Sequence, residues 1–135
     1  MILSFKKEFE PLIKSGSKIH TIREDAPNRW NKGRNIHFAT GVRSKNYNCF
    51  KEGEVKSIQY VFMTYHEGRF ELSIGNNRFY DTYLNFSEIE LLAKNDGFEN
   101  LEEFQKWFIT LIEKHPEHHF SGKIIHWTNF KYKTK

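Results

Sequence analysis

An amine, a hydroxyl and a guanidinium fall within six residues of this chain: Lys18, Thr21 and Arg23, in the run Gly16-Ser17-Lys18-Ile19-His20-Thr21-Ile22-Arg23. That trio can hold an anion or polarise a carbonyl oxygen. In an extended segment Thr21 and Arg23 share a face, because side chains alternate. Lys18 joins them if the backbone bends between residues 18 and 21, and a helix stop at Gly16 favours such a bend. Three uses are open to the trio. Lys18 acts as a general base if burial and the Arg23 charge lower its pKa, with Thr21 as nucleophile or hydrogen-bond donor. Alternatively, Lys18 and Arg23 grip a phosphate. The third reading is an ordinary wet surface.

The elements that must position these residues are legible from periodicity. Met1 to Phe5 reads as a strand. Phe5, Phe9, Leu12 and Ile13 have helical spacing, and Pro11 confines that helix to a short one. Lys18 to Asp25 is extended or looped, Pro27 to Lys32 a turn, and Ile36 to Gly41 a strand. Arg43 to Gly53 is polar and reads as a loop. Glu54 to His66 reads as one long strand, turning at Glu67-Gly68 into Arg69 to Ile74. Gly75-Asn76-Asn77 is a further turn, leading into a strand from Phe79 to Leu84. Two helices follow. Ser87 with Glu90 and Asn100 with Glu103 are capping pairs, and Gly97 is a helix stop. Leu101, Phe104, Phe108 and Leu111 form an apolar stripe. His115 to Gly122 reads as a loop, Lys123 to Tyr132 as a closing strand, and Lys133 to Lys135 as a fraying end. Antiparallel strands with about three helices make an α+β domain over residues 1–135. Phe5, Phe9, Ile13, Ile36, Phe38, Leu101, Phe104, Phe108, Ile125 and Trp127 are expected in one core.

The order of motifs resembles the ASCH domains of the PUA-like superfamily. Those domains open with a strand and a helix ending in a Gly-x-Lys turn, here Gly16-Ser17-Lys18. A Thr-x-Arg segment follows, here Thr21-Ile22-Arg23, then an aromatic, a glycine and a strand, here Trp30, Gly33 and Ile36 to Ala39. A helix ends in an acid-Gly-Phe turn, here Asp96-Gly97-Phe98, and a last strand ends in aromatics, here Ile124 to Phe130. The resemblance implies a bent sheet or pseudo-barrel with a cleft for RNA or a nucleotide-like ligand. Some relatives are amidohydrolases acting on acetylated cytidine, and others are RNA binders or nucleases. It also points to Asp96 as the acid of the site. The C-terminal end of a helix disfavours a carboxylate by up to about 1 kcal/mol, so an acid there invites a role in proton transfer or in pairing with Lys18. Some relatives that hydrolyse acetylcytidine use glutamate at this place; aspartate reaches one methylene less.

Charge supports an anionic ligand. Net charge is +4, but residues 14–45 carry eight basic side chains against two acids, whereas residues 85–119 carry eight acids against three lysines. Trp30, Phe38, Tyr47 and Phe50 interleave with the basic residues and can stack on bases. Arg29, Trp30 and Lys32 are therefore expected as ligand contacts beside Arg23. Trp107 and Trp127 are expected in the core. Cys49 is the one cysteine and excludes an internal disulfide. His115, His118 and His119 surround Pro116 in a polar turn, and no four-ligand metal set or cofactor motif is present. No apolar run approaches the roughly 18 residues of a membrane helix, and Lys6 and Lys7 follow the apolar start without a signal-peptide core. A cytoplasmic address is the expectation. The reading is a domain that binds RNA, a nucleotide or a modified nucleoside. The alternatives are an amidohydrolase that removes an acyl group from a nucleoside such as acetylcytidine, and a module that meets an acidic partner protein.

Overall fold

The computed structural model describes residues 1–135 as an α+β fold of eight strands in two sheets and three α-helices. In chain order these are β1 (Ile2–Phe5), a 3-10 turn (Lys7–Phe9), α1 (Glu10–Ser15), β2 (His20–Arg23), β3 (Asn35–Thr40), β4 (Asn48–Glu54), β5 (Ser57–His66), β6 (Arg69–Gly75), β7 (Thr82–Tyr83), α2 (Phe86–Asn95), α3 (Leu101–Lys114) and β8 (His119–His126). One sheet has the order β1-β3-β4, the other β2-β8-β5-β6-β7. Every pairing is antiparallel except β1 with β3, which run parallel from Ile2↔His37 to Phe5↔Thr40. No helix is long and apolar enough to cross a membrane.

Alternation along β8 explains how two sheets share one interior. Ile124 faces a cluster of fifteen buried residues in which α2 and α3 pack on the larger sheet, through Phe104, Phe108, Leu92 and Ile112. Its neighbour Ile125 faces the opposite way, into a second cluster of ten with Phe5, Phe9, Ile13, Ile36, Phe38 and Trp127. All ten residues expected in the core are buried. They divide between two clusters rather than sharing one, because β8 lies between them. Phe98, just past the α2 stop, packs against both.

Several expectations are corrected. The polar segment after Arg43 is not all loop: Asn48–Glu54 is an edge strand held to β3 by its backbone and almost wholly exposed, so it carries no apolar pattern. The long strand read from Glu54 breaks at Val55-Lys56, whose amides leave the ladder for Arg34 O and His126 O. Only Thr82–Tyr83 of the Phe79–Leu84 stretch is strand, and Phe79 is exposed. The last strand begins at His119 and ends at His126. The tail does not fray: Asn76 Nδ2 donates to Thr134 Oγ1 at 2.9 Å, and Lys135 N to Thr82 Oγ1 at 2.9 Å. The capping box of α2 is Asn85 with Glu88, two residues ahead of the Ser87–Glu90 pair. Asn100 caps α3 by accepting from Glu103 N.

Candidate functional site

Helix α1 ends at Gly16 in the left-handed conformation, and Lys18 N then bonds Leu12 O, which turns the chain inward. Ile19 N bonds Asn95 O, tying this turn to the end of α2. The turn therefore carries Lys18 under the α2 C-terminus before β2 begins. Lys18 is 2% exposed and Asp96, the α2 C-cap residue, 3%. The Lys18 ammonium donates to the Asp96 backbone carbonyl and, at 3.2 Å, to Asp96 Oδ1. One cation thus offsets both a helix-end carbonyl and a carboxylate placed where the helix dipole opposes it. An ammonium has three N–H donors, so one remains. The rings of Phe9 and Phe5 lie 4.9 and 5.7 Å from the nitrogen.

Asp96 also binds His20. Its Oδ1 lies 3.0 Å from His20 Nδ1, and His20 Nε2 lies 2.6 Å from Tyr132 Oη. Burial lowers the His20 pKa further than Asp96 raises it. The ring is accordingly neutral, donating from Nδ1 to Asp96 and accepting the Tyr132 proton at Nε2. Burial pushes the Tyr132 hydroxyl up, and Asp96 adds to that, so Tyr132 remains a donor. Asn95 Nδ2 donates to Tyr132 Oη at 3.1 Å. The result is a directed chain from Asn95 through Tyr132 and His20 to Asp96, closed by Lys18. Burial also lowers the Lys18 pKa; Asp96 opposes this, and the nearby Arg23 charge reinforces it.

Thr21 and Arg23 lie on the opposite face of β2 from His20. Thr21 Oγ1 accepts from Arg23 Nε at 3.2 Å, and the same guanidinium donates to Ser4 O and lies 5.0 Å from the Phe5 ring centre. Burial lowers the Arg23 pKa, but a guanidinium stays charged. Lys18, Thr21, Arg23 and Asp96 all line one cleft of about 1450 Å³, although Asp96 is far from the others in sequence. Its walls include Phe5, Phe9, Phe98 and Tyr47, and Arg43 is at its rim.

The other expected contacts are elsewhere. Trp30 is 8% exposed and packs in the second core cluster, because its amide and carbonyl are drawn inward by Asp25 and Lys123. Arg29 and Lys32 line a separate depression. The tryptophan at the cleft is Trp107, which was expected in the core. His115, His118 and His119 lie around the start of β8, where the His119 ring packs at a tilt against Phe62, centres 5.0 Å apart, and His115 Nδ1 accepts from Glu117 N. His20 and Tyr132 were missed. Alternation placed His20 on the face away from Thr21, and nothing local to Tyr132 announces that the tail returns.

Gly97 has a φ of +91°, and a Cβ there would lie 2.9 Å from Lys18 Cδ. The residue must be glycine both for the turn and for the lysine stem to pass. Gly97→Ala is expected to lower stability by at least about 1–2 kcal/mol from the backbone alone and to displace Lys18. Urea unfolding measures the first. A variant within 0.5 kcal/mol of wild type, roughly the effect of an ordinary surface change, would contradict it. Comparison of the chain with protein-family models, with curated proteins and with solved structures gives no match.

Proposed function

We propose that this chain is an ASCH-type domain that binds single-stranded RNA or a modified nucleoside in the Lys18 cleft. The observation that carries the reading is a buried Lys18–Asp96 ion pair at the base of a cleft walled by aromatic rings and edged by guanidiniums. Rings accept the face of a base. The remaining Lys18 N–H and the Thr21 hydroxyl can address a base edge, and Arg23 and Arg43 can take a phosphate. Asp96, 3.2 Å away, favours the charged form of Lys18 and so a fixed donor.

A second reading has its own support. Lys18 is desolvated beside Arg23, and Thr21 Oγ1 accepts from the Arg23 guanidinium. That arrangement suits an amidohydrolase: Lys18 takes the Thr21 proton, the oxygen attacks an acyl carbon, and Arg23 stabilises the oxyanion. The amine leaves with a proton, and water then releases the acid.

Binding of a short single-stranded RNA is expected to weaken with salt at a log–log slope of about −0.7 per neutralised phosphate. Tyr47, 46% exposed at the cleft, is expected to contribute about 1–3 kcal/mol by stacking, read as the affinity lost in Tyr47→Ala. Salt-independent affinity, or no binding at low salt, would remove RNA as the ligand. Acetylcytidine turnover by the wild type that disappears in Thr21→Val would move the conclusion to the hydrolase.

A further inference from the structure

Beyond the cleft, the loop between β2 and β3 forms a second feature. Arg29, Lys32 and Arg34 are exposed around a depression of about 480 Å³, whose other lining residues are Met1, Asn31, Gly33 and Asn35. No carboxylate lines it. Like charges gathered without a counter-charge repel one another, so the loop needs a rigid support. Buried Lys123 supplies it from below, binding Asp25 Oδ2 at 2.8 Å, Asn28 Oδ1 at 2.6 Å and Trp30 O at 3.0 Å. Asp25 in turn accepts from the amides of Arg29 and Trp30 at 2.8 and 2.7 Å. Arg34 Nε donates to Arg29 O at 3.0 Å, which joins the two arms of the loop. The cations are thus presented on a backbone fixed before any ligand arrives, which reduces the ordering cost of binding.

Its position relative to the cleft gives it a use. Met1 lines the depression, and the cleft runs along β1 from Ile2 to Phe5, with its Lys18 end at Phe5, whose ring lies 5.7 Å from the Lys18 ammonium. Asn35 and Gly41 mark the same two ends along the parallel strand β3. Four residue steps of strand, about 13 Å, lie between Met1 in the depression and the Lys18 end of the cleft at Phe5. A stacked strand advances about 3.4 Å per nucleotide, so about four nucleotides bridge them and a single nucleotide does not.

The geometry points to a phosphate-binding subsite at Arg29, Lys32 and Arg34 that holds the backbone of an RNA strand whose base occupies the Lys18 cleft. It rests on the nucleotide reading of that cleft, and it makes the protein a reader of strand length.

Calorimetry at low salt with a mononucleotide and with a ten-nucleotide RNA tests this. The ten-mer is expected to bind at least tenfold more tightly, since a second contact on one ligand multiplies affinity. Replacing Arg29, Lys32 and Arg34 together by glutamine is expected to abolish that gain and leave the mononucleotide affinity as it was. Arg34→Lys alone, keeping the charge, is expected to retain the gain. Unfolding midpoints of the variants verify that the loop stays folded. If the mononucleotide binds but the ten-mer gains nothing, the subsite is overturned and the cleft reading survives. If the mononucleotide fails to bind while the ten-mer does so through these cations, the cleft reading falls and the subsite remains. If pyrophosphate saturates the cations and the ten-mer shows no preference, the depression serves a free phosphate and the strand inference is overturned.

Discussion

Lys123→Met is expected to destabilise the fold by about 3–5 kcal/mol, the effect of breaking a buried ion pair from one side. Lys123 is 1% exposed, with its side chain on the face of β8 away from α2 and α3. Its partners are Asp25, Asn28, Trp30 and, at 3.4 Å, Asn31, all from the loop before β3. Methionine keeps much of the stem's volume but leaves the Asp25 carboxylate in the interior with only two backbone amides. Burial pushes the Asp25 pKa up, yet the Lys123 bond and those amides together hold it below the usual carboxylate value. The cation is therefore part of what keeps a buried charge tolerable. Lys123→Met with Asp25→Asn is expected to recover part of the loss, because no uncompensated charge remains. Urea denaturation of both single variants and the double gives the coupling directly. A single-variant loss under about 1 kcal/mol, within the range of an exposed ion pair, would mean the pair is not held away from water.

The same ion pair marks where sequence reasoning stopped. Strands and helices with a periodic apolar face were legible, from β1 and the Gly16 stop to Leu101, Phe104 and Phe108 on α3, although Leu111 of that stripe is exposed and Ile112 is buried instead. What escaped were contacts whose partners are remote and polar. Lys123 reads as the start of the closing strand, and Asp25 as the end of an extended or looped segment; only the fold joins them. The basic neighbours of Trp30 suggest a ligand contact, whereas Asp25 pulls its backbone inward and takes the ring with it. For the site, Lys18, Thr21 and Arg23 announced themselves by type and spacing, and the motif resemblance added Asp96. The lysine–aspartate bond follows from two turns that no local pattern ties together: Lys18 N on Leu12 O, and Ile19 N on Asn95 O. His20 was hidden for a different reason. Strand alternation is a rule about faces, and it directed attention to the face of Thr21, while Asp96 at the helix end bonds His20 on the other face as well as Lys18.

Stability is expected to fall as pH drops below about 6.5, through His126 before the carboxylates titrate. The ring's Nε2 lies 2.9 Å from Gln59 Oε1. That amide is fixed in orientation by Tyr132, whose N–H donates to Oε1 at 2.9 Å and whose carbonyl accepts from Gln59 Nε2 at 2.8 Å. Nε2 of His126 must then carry the proton, and Nδ1 is a buried lone pair without a partner. A second proton on Nδ1 would be a charge with no acceptor, on a ring whose centre lies 5.3 Å from that of His20. Burial, with His20 and Lys131 adding to it, accordingly lowers the His126 pKa from 6.5 to about 3. The unfolded chain binds this proton near pH 6.5 and the folded chain only near 3. The contribution to stability is thus complete above 6.5 and lost progressively on the way down to about 3. His20, whose pKa is also lowered by burial, acts with the same sign. One pH unit inside that window is worth about 1.4 kcal/mol per ring. Between pH 6.5 and 5.0 the wild type is therefore expected to lose about 2 kcal/mol more than His126→Gln, which cannot titrate. Urea midpoints across that range, compared between the two proteins, measure the difference. Parallel pH profiles would show that the folded protein accepts the proton readily and that the ring is not sealed in by the returning tail.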